Sequence, residues 1–491
     1  MNIFPPHMID FYKSGHIYQY PKDTTLVFSN LTPRESRLEG VDKVVFFGLQ
    51  YFIKEYLIKQ WNENFFALDF NTIRDKYKFR MNQALGEDTV KIDHIEALHD
   101  LGYLPLEIKA VPEGSLVNLR VPCLVVFNTL PEFFWLTNYI ETIMSTILWG
   151  ACTSATMALE YKKILNEYAD KTIGNRDFVP FQGHDFSCRG MFGLEAGCIS
   201  GAGHLTSFIG TDTVPAIDFL EQYYNVPFHH EEMVGCSVPA TEHSVMCLGS
   251  ELSELETFRK LITETYPTGI ISIVSDTWDF WKVITEYIPA LKDEIMARDG
   301  KVVIRPDSGD PANIICGDPS YYGTKAPQLK GAIECLWETF GGDITDKGYQ
   351  QLDNHIGLIY GDSITLDRCR DICARLQQKN FASSNVVFGI GSYTYQYTTR
   401  DVYGFAVKAT YAEVGGEPRE IFKKPKTDNG MKNSAKGLTA VYQNQGGFEL
   451  ADQATWDEVN NCALQTVFRN GENTKEITLK EVRENIIGGA F

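Results

Sequence analysis

Lys301-Val302-Val303-Ile304-Arg305-Pro306-Asp307-Ser308-Gly309-Asp310-Pro311 is the stretch on which the reading of the fold turns. Val302 to Ile304 is a β-branched run with the length and composition of a buried strand. It stops in the charges Arg305 and Asp307, then in the turn residues Ser308, Gly309 and Pro311. An apolar strand that delivers charge at its C-terminal end is how an α/β barrel builds a site. One such segment would mean little, because every buried strand must surface somewhere.

The same pattern recurs on both sides of it. Val179–Gln182 leads into His184, Asp185, Phe186 and Arg189, and Leu205–Ile209 into Gly210-Thr211-Asp212-Thr213. Cys236–Val238 leads into Glu242-His243-Ser244, and Ile270–Val274 into Ser275-Asp276-Thr277. Ile356–Tyr360 leads into Gly361-Asp362-Ser363, and Val386–Phe388 into Gly389-Ile390-Gly391-Ser392. Helix-like stretches such as Ile217–Tyr224, Glu251–Tyr266 and Leu366–Lys379 lie between most of them. Short strands alternating with amphipathic helices predict parallel βαβ units whose chemistry gathers on one face. The expected fold is α/β: a barrel-like catalytic domain over residues 151–399, its strands running from Phe178 to about Thr399.

The flanking segments, residues 1–150 with 400–491, read as a second, α+β domain with mostly antiparallel sheet. Leu106–Val111, Leu116–Val121 and Leu124–Phe127 predict an antiparallel meander, with Pro112-Glu113-Gly114 as a turn. Val44–Leu57 reads as core, and Trp135–Trp149 has the periodicity of one buried helix. Phe405–Ala412 and Leu438–Gln443 alternate like strands, and Asp310–Asp353 reads as a long polar insertion in the barrel.

The chain has 491 residues and a formal net charge of −19, which argues against a nucleic-acid surface or a polybasic membrane contact. A small anionic substrate remains compatible if positive charge is concentrated locally. The loop between the last two predicted strands concentrates it: Lys423, Lys424, Lys426, Lys432 and Lys436. It reads either as a solvated loop or as a cradle for a phosphorylated ligand. The eleven cysteines form no CxxC pair and no zinc spacing, which with an N-terminus lacking a secretory pattern predicts a cytoplasmic protein. No apolar run approaches the ~20 residues of a membrane span.

Several strand ends carry chemistry. Asp307 and Asp362 end neighbouring predicted strands and suit vicinal hydroxyls or a magnesium ion shared with a phosphate; helix capping is the alternative. Gly389-Ile390-Gly391-Ser392 suits a phosphate approaching backbone N–H groups, or is a plain tight turn. His243, with Glu242 before it and Asp276 ending the next strand, fits a base or nucleophile tuned by a carboxylate. His229-His230-Glu231-Glu232 is rejected as a metal site, because adjacent strand residues point to opposite faces and no third ligand has the right spacing.

These features together resemble the nicotinamide phosphoribosyltransferase family over essentially the full length. The motifs are Asp10-x-Tyr12-Lys13-x-x-His16, Phe47-Gly48-Leu49-Gln50-Tyr51 and Pro105 to Gly114. They continue through Trp135-Leu136-Thr137-Asn138, His184-Asp185-Phe186, Gly210-Thr211-Asp212-Thr213, Ser237 to Ser244 and Ile304 to Gly309. The resemblance implies phosphoribosyl transfer from phosphoribosyl pyrophosphate to nicotinamide, coupled to ATP hydrolysis through a phosphohistidine at His243 with Asp276 as its partner. Phe186, and Tyr12 from a second subunit, would sandwich the pyridine ring. Arg189 and Asp212 would address its carboxamide, and Arg305 would lie beside it. Asp307 and Asp362 would hold the ribose hydroxyls, with Gly391 and Ser392 at the 5′-phosphate. Arg34, Arg400, Lys408, Lys423 and Lys432 would form the phosphate and pyrophosphate cradle. Mg2+ would be bound mainly through pyrophosphate, ATP would be a co-substrate, and the protein would be a homodimer with its sites at the interface. Departures from the family are Ala406 in place of a phosphate-assisting serine, Cys188 in place of an aromatic residue, and the sparser glycines of Gly389–Ser392.

The nearest rival, nicotinate phosphoribosyltransferase, shares fold and chemistry. Asp212 opposes it, since a carboxylate accepts from an amide N–H2 and repels a carboxylate. A non-catalytic protein keeping the same fold is expected to lose His243, Asp307 or Asp362, and all three are present.

Overall fold

In the computed structural model, which describes residues 3–226, 233–322, 326–422 and 435–490, the strand around Val302 runs Asp299–Arg305. Val302 and Ile304 are fully buried. Parallel pairing joins this strand to Thr268–Val274 on one side and Ile356–Tyr360 on the other. Val386–Ile390, Gly183–Asp185 and Gly210–Thr211 follow, giving a six-stranded sheet that is parallel throughout. The short segment between its edge strands makes two parallel bridges, Gly210 with Cys236 and Ala240 with Ser272. The sheet is thereby drawn into a barrel-like curve, and all its strands end on one rim.

The chain divides into two units. One comprises Met1–Thr156, Phe219–His229 and Thr398–Phe491; the other comprises Met157–Asp218 and His230–Tyr397. The boundary therefore falls after Thr156 rather than after residue 150, both within the helix Glu141–Thr172, and Phe219–His229 leaves the barrel unit expected from the sequence. In the first unit a seven-stranded sheet has the order Glu417–Glu420, Ala406–Val414, Thr24–Thr32, Leu124–Asn128, Leu106–Ala110, Gln465–Arg469, Glu472–Asn473. Its pairings are antiparallel, so the N- and C-terminal segments of the chain fold into one sheet.

Several sequence expectations are corrected. Val179–Gln182 is a turn of helix, not a strand: Pro180 occupies its first turn, and the buried Gln182 amide donates to Ser383 O and Val386 O at 2.7 and 3.1 Å. The strand is the shorter Gly183–Asp185 that follows it. Leu205 closes the helix Leu194–Leu205, leaving only Gly210–Thr211 as strand. The small residues of that helix allow close approach; a Cβ on Gly201 would stand 2.6 Å from Ala216 Cβ. Cys236–Val238 contributes a bridge rather than a strand. The meander is absent, because Leu106–Ala110 pairs directly with Leu124–Asn128 while Leu116–Asn118 pairs with Lys43–Val45.

The helix predicted over Trp135–Trp149 breaks at Ile140 into Leu136–Tyr139 and Glu141–Thr172. The latter is long and apolar enough to cross a membrane by length and composition, against the expectation of no such stretch. Its most apolar window is 67% buried, with Met144, Leu148, Cys152 and Ala155 in the core. The presumed polar insertion carries a helix, Ala332–Phe340, whose Ile333 and Leu336 are buried, and the hairpin of Gly342–Ile344 with Gln350–Leu352.

Candidate active site

Because the sheet is parallel, the residues just past its strands meet at one rim. There a cavity of about 450 Å³ is lined by Phe186, Arg189, Asp212, Arg305, Asp307 and Gly361, with Cys188 and Thr241 among its other walls. The barrel interior behind it holds a second cavity, of about 190 Å³, which shares Phe186, Asp212, Ala240 and Arg305 with the first.

Phe186 is fixed to the rim by its backbone. Its N–H donates to Ile390 O at 3.0 Å, continuing the ladder of the neighbouring strand. The ring lies where a side chain on Gly389 would be: a Cβ there would meet Phe186 Cδ2 at 2.6 Å. The absence of a side chain at Gly389 thus makes room for the ring. Gly361 does the same for a carboxylate, since its Cβ would stand 2.1 Å from Asp307 Oδ1. Among the described residues a Cβ on Gly391 would meet nothing within 4 Å, which leaves the backbone after the Val386–Ile390 strand open to approach from them. Ser392 opens a four-residue helix, and its hydroxyl occupies the space a side chain on Gly190 would take.

Asp212 is oriented by two neighbours to which the sequence reading gave no role. Its Oδ1 accepts from His184 Nε2 at 2.9 Å and from Ser237 Oγ at 2.5 Å, leaving Oδ2 as the unengaged acceptor among the described residues. Burial opposes its ionisation, but these two hydrogen bonds outweigh burial and hold the carboxyl below its usual range. His184 and Ser237 lie 28 and 25 residues away in sequence, so no local pattern marks their convergence on one oxygen.

His243 and Asp276 meet at the same rim, with Nε2 3.3 Å from Asp276 Oδ1. Glu242 is not the carboxylate behind the histidine; it accepts from the Ser244 hydroxyl instead. Asp276 serves a second purpose. Its Oδ2 accepts from the backbone N–H of Asp307 at 3.0 Å and of Ser308 at 2.8 Å, and from Ser308 Oγ at 2.6 Å. Burial again opposes ionisation, and these donors override it, keeping Asp276 below the usual carboxylate range. The opposite holds for Asp307. Burial pushes its carboxyl up, Arg305 only partly countering this, and the Asp276 and Asp362 charges add to the rise. Asp307 Oδ1 is buried without a hydrogen-bond donor among the described residues, 3.6 Å from Arg305 Nε. Asp362 is exposed and accepts from the N–H of Ser363, which turns in the left-handed region at φ 57°.

The remaining predicted site residues lie in the first unit. Tyr12 is 59% exposed on the short helix Phe11–Gly15. Arg34 and Lys408 line one cavity of about 230 Å³, which Ala406 also borders; Arg400 does not line it and lies 3.9 Å from Asp401. Lys423 and Lys432 lie outside the described residues, as does His229-His230-Glu231-Glu232. Among the described residues no group of three or more His, Cys, Asp or Glu side chains is arranged to hold a metal ion.

Residues 181–472 match the Nicotinate phosphoribosyltransferase (NAPRTase) family, and residues 7–108 match the nicotinamide phosphoribosyltransferase N-terminal domain. A nicotinamide phosphoribosyltransferase of Acinetobacter baylyi is 56% identical over 495 residues, covering 99% of this chain and 97% of that protein. Another, of Xanthomonas campestris, is 32% identical and covers 96% of each chain. The human nicotinic acid phosphoribosyltransferase structure superposes with a TM-score of 0.58 at 15% identity, covering 98% of this chain and 93% of that one. At that identity the likeness is one of fold.

Proposed function

The chain belongs to the nicotinamide phosphoribosyltransferase family of pentosyltransferases, and we propose that it transfers the 5-phosphoribosyl group of phosphoribosyl pyrophosphate to nicotinamide in NAD salvage. The products are nicotinamide mononucleotide and pyrophosphate. The observation that carries the choice of base is Asp212. With Oδ1 saturated by His184 and Ser237, Oδ2 is left to accept from a carboxamide N–H2, and an ionised carboxyl there repels nicotinate.

In this reading the pyridine ring stacks on Phe186, with Tyr12 of a second copy of the chain closing over it and Arg189 beside the carboxamide. Asp307 and Asp362 accept from the ribose hydroxyls, and the open backbone at Gly391 and Ser392 receives the 5′-phosphate. The C1–oxygen bond of the ribose breaks, pyrophosphate leaves with the electron pair, and the ring nitrogen lone pair forms the new C–N bond. The intervening state is oxocarbenium-like, and the carboxylates at positions 276, 307 and 362 place negative charge on the rim where positive charge develops. Positioning supplies the rest of the acceleration. The Asp307 oxygen that lacks a partner among the described residues fits a ribose hydroxyl or a magnesium ligand, and Mg2+ would be held chiefly by the diphosphate. When bound there, magnesium neutralises the leaving group.

ATP coupling runs through His243. Asp276 Oδ1 lies 3.3 Å from Nε2, buried and without a hydrogen-bond partner among the described residues, so a turn of the imidazole would let it accept the Nε2 proton and leave the Nδ1 lone pair to attack the γ-phosphorus as ADP leaves. All eleven cysteines are free thiols, which supports a reducing, cytoplasmic setting.

The test is product formation by purified protein from phosphoribosyl pyrophosphate and magnesium, with nicotinamide or nicotinate, with and without ATP. Nicotinamide is expected to be strongly preferred, ATP to raise turnover, and His243→Ala to lose only the ATP benefit. Preference for nicotinate would overturn the role of Asp212; no product from either base would sink the mechanism.

A further inference from the structure

We propose that Arg120 is a diphosphate-binding residue that holds the pyrophosphate moiety of phosphoribosyl pyrophosphate beside Arg34 and Lys408. This rests on the reaction proposed above. No family motif marks position 120, and its role comes from three features of the first unit.

The first is placement. Arg120 lines the 230 Å³ cavity with Asn30, Thr32, Arg34, Lys408 and Asp452. Pairing of Thr24–Thr32 with Ala406–Val414 sets Asn30 opposite Lys408. The Arg120 N–H donates to Pro33 O at 2.6 Å, which brings its turn against the residue preceding Arg34. Three cations against one carboxylate make this cavity locally positive in a chain whose formal net charge is −19.

The second is backbone conformation. Arg120 has φ 69°, in the left-handed region that glycine adopts without strain and a long side chain does not. A non-glycine residue kept in such a conformation points to a use for its side chain. Arginine is a costly way to make a turn, but its planar fork suits bidentate contact with phosphate oxygens.

The third is availability. Among the described residues, the Arg120 guanidinium has no hydrogen-bond or ion-pair partner, whereas Arg34 Nε is committed to Gly404 O at 2.7 Å. Of the two guanidinium groups, Arg120 is therefore the one with its full set of donors to give. Asn30 and Thr32 hydrogen-bond to each other at 2.8 Å and form the polar floor.

Arg120→Gly is the informative variant, because it removes the cation and relieves the backbone at once. Expected results are a KM for phosphoribosyl pyrophosphate raised roughly tenfold and inorganic pyrophosphate binding weakened in proportion by calorimetry. The KM for nicotinamide and the thermal midpoint should not worsen, and Arg120→Lys should recover part of the loss. Since ATP presents the same diphosphate chemistry, the KM for ATP hydrolysis without phosphoribosyl pyrophosphate is measured in parallel. Equal pyrophosphate binding by both proteins, or a shift confined to ATP, overturns the proposal. Failure of the underlying reaction shows separately, as absence of transfer by the unaltered protein, and the calorimetric comparison does not depend on it.

Discussion

At the scale of single residues, the site sets carboxylates against their surroundings in opposite directions. Asp212 is held towards its ionised form by two donors on one oxygen, and in the proposed reaction that charge would separate an amide from an acid. Asp212→Asn keeps the shape, removes the charge and presents N–H2 or O in either orientation. It is expected to cut the nicotinamide-over-nicotinate preference by roughly tenfold or more, read as the ratio of kcat/KM for the two bases. Asp307 is pushed the other way, by burial first. A raised carboxyl pKa favours the protonated form, so the carboxylate proposed to accept the ribose hydroxyls is lost as pH falls through a value above the ordinary ~4. The KM for phosphoribosyl pyrophosphate should therefore climb on the acid side earlier than an ordinary Asp would dictate. Asp307→Asn should raise that KM at every pH and abolish this limb; a limb that persists in the variant belongs to another group. Asp212, Asp276 and Asp307 were legible as strand-end acids. His184, Ser237 and Ser308 were not given roles, since each acts on an acid more than twenty residues away.

At the scale of elements, parallel strands place the reacting groups and two glycines make room for them. Gly389→Ala would drive a methyl into the Phe186 ring, and Gly361→Ala would drive one into the Asp307 carboxylate. The two substitutions are expected to separate the substrates. The first should raise the KM for nicotinamide and the second the KM for phosphoribosyl pyrophosphate, each with a stability loss of about 1–3 kcal/mol by thermal unfolding. If both raise the same KM, the division of the rim between ring and ribose is wrong. The strands Asp299–Arg305, Ile356–Tyr360 and Val386–Ile390 were readable because β-branched runs mark buried strands. Gly183–Asp185 and Gly210–Thr211 are shifted from the expected strands, since strands of two or three residues carry no periodicity and the apolar residues before them lie in or just past helices.

At the scale of the whole molecule, Tyr12 is an exposed aromatic residue whose proposed partner is the Phe186 of another copy. Tyr12→Ala and Phe186→Ala should each be poorly active alone. Mixed and reassembled, they should recover roughly a quarter of full activity, because half the dimers then contain one intact site. No recovery on mixing, with subunit exchange verified by mass, would place both rings in one chain. The sequence by itself determined the parallel strand grammar, the acids at its ends and the membership those motifs carry, because these are local patterns of polarity, turn chemistry and order along the chain. Tertiary structure alone decided that Asp276 ties Asp307 and Ser308 as well as facing His243, that His184 and Ser237 aim Asp212, and that Gly389 serves the Phe186 ring. It also showed that the apolar Glu141–Thr172 helix is largely interior. These facts depend on which distant segments pair across the sheet, and the free energy of such pairing is spread over long-range contacts that no window of sequence contains.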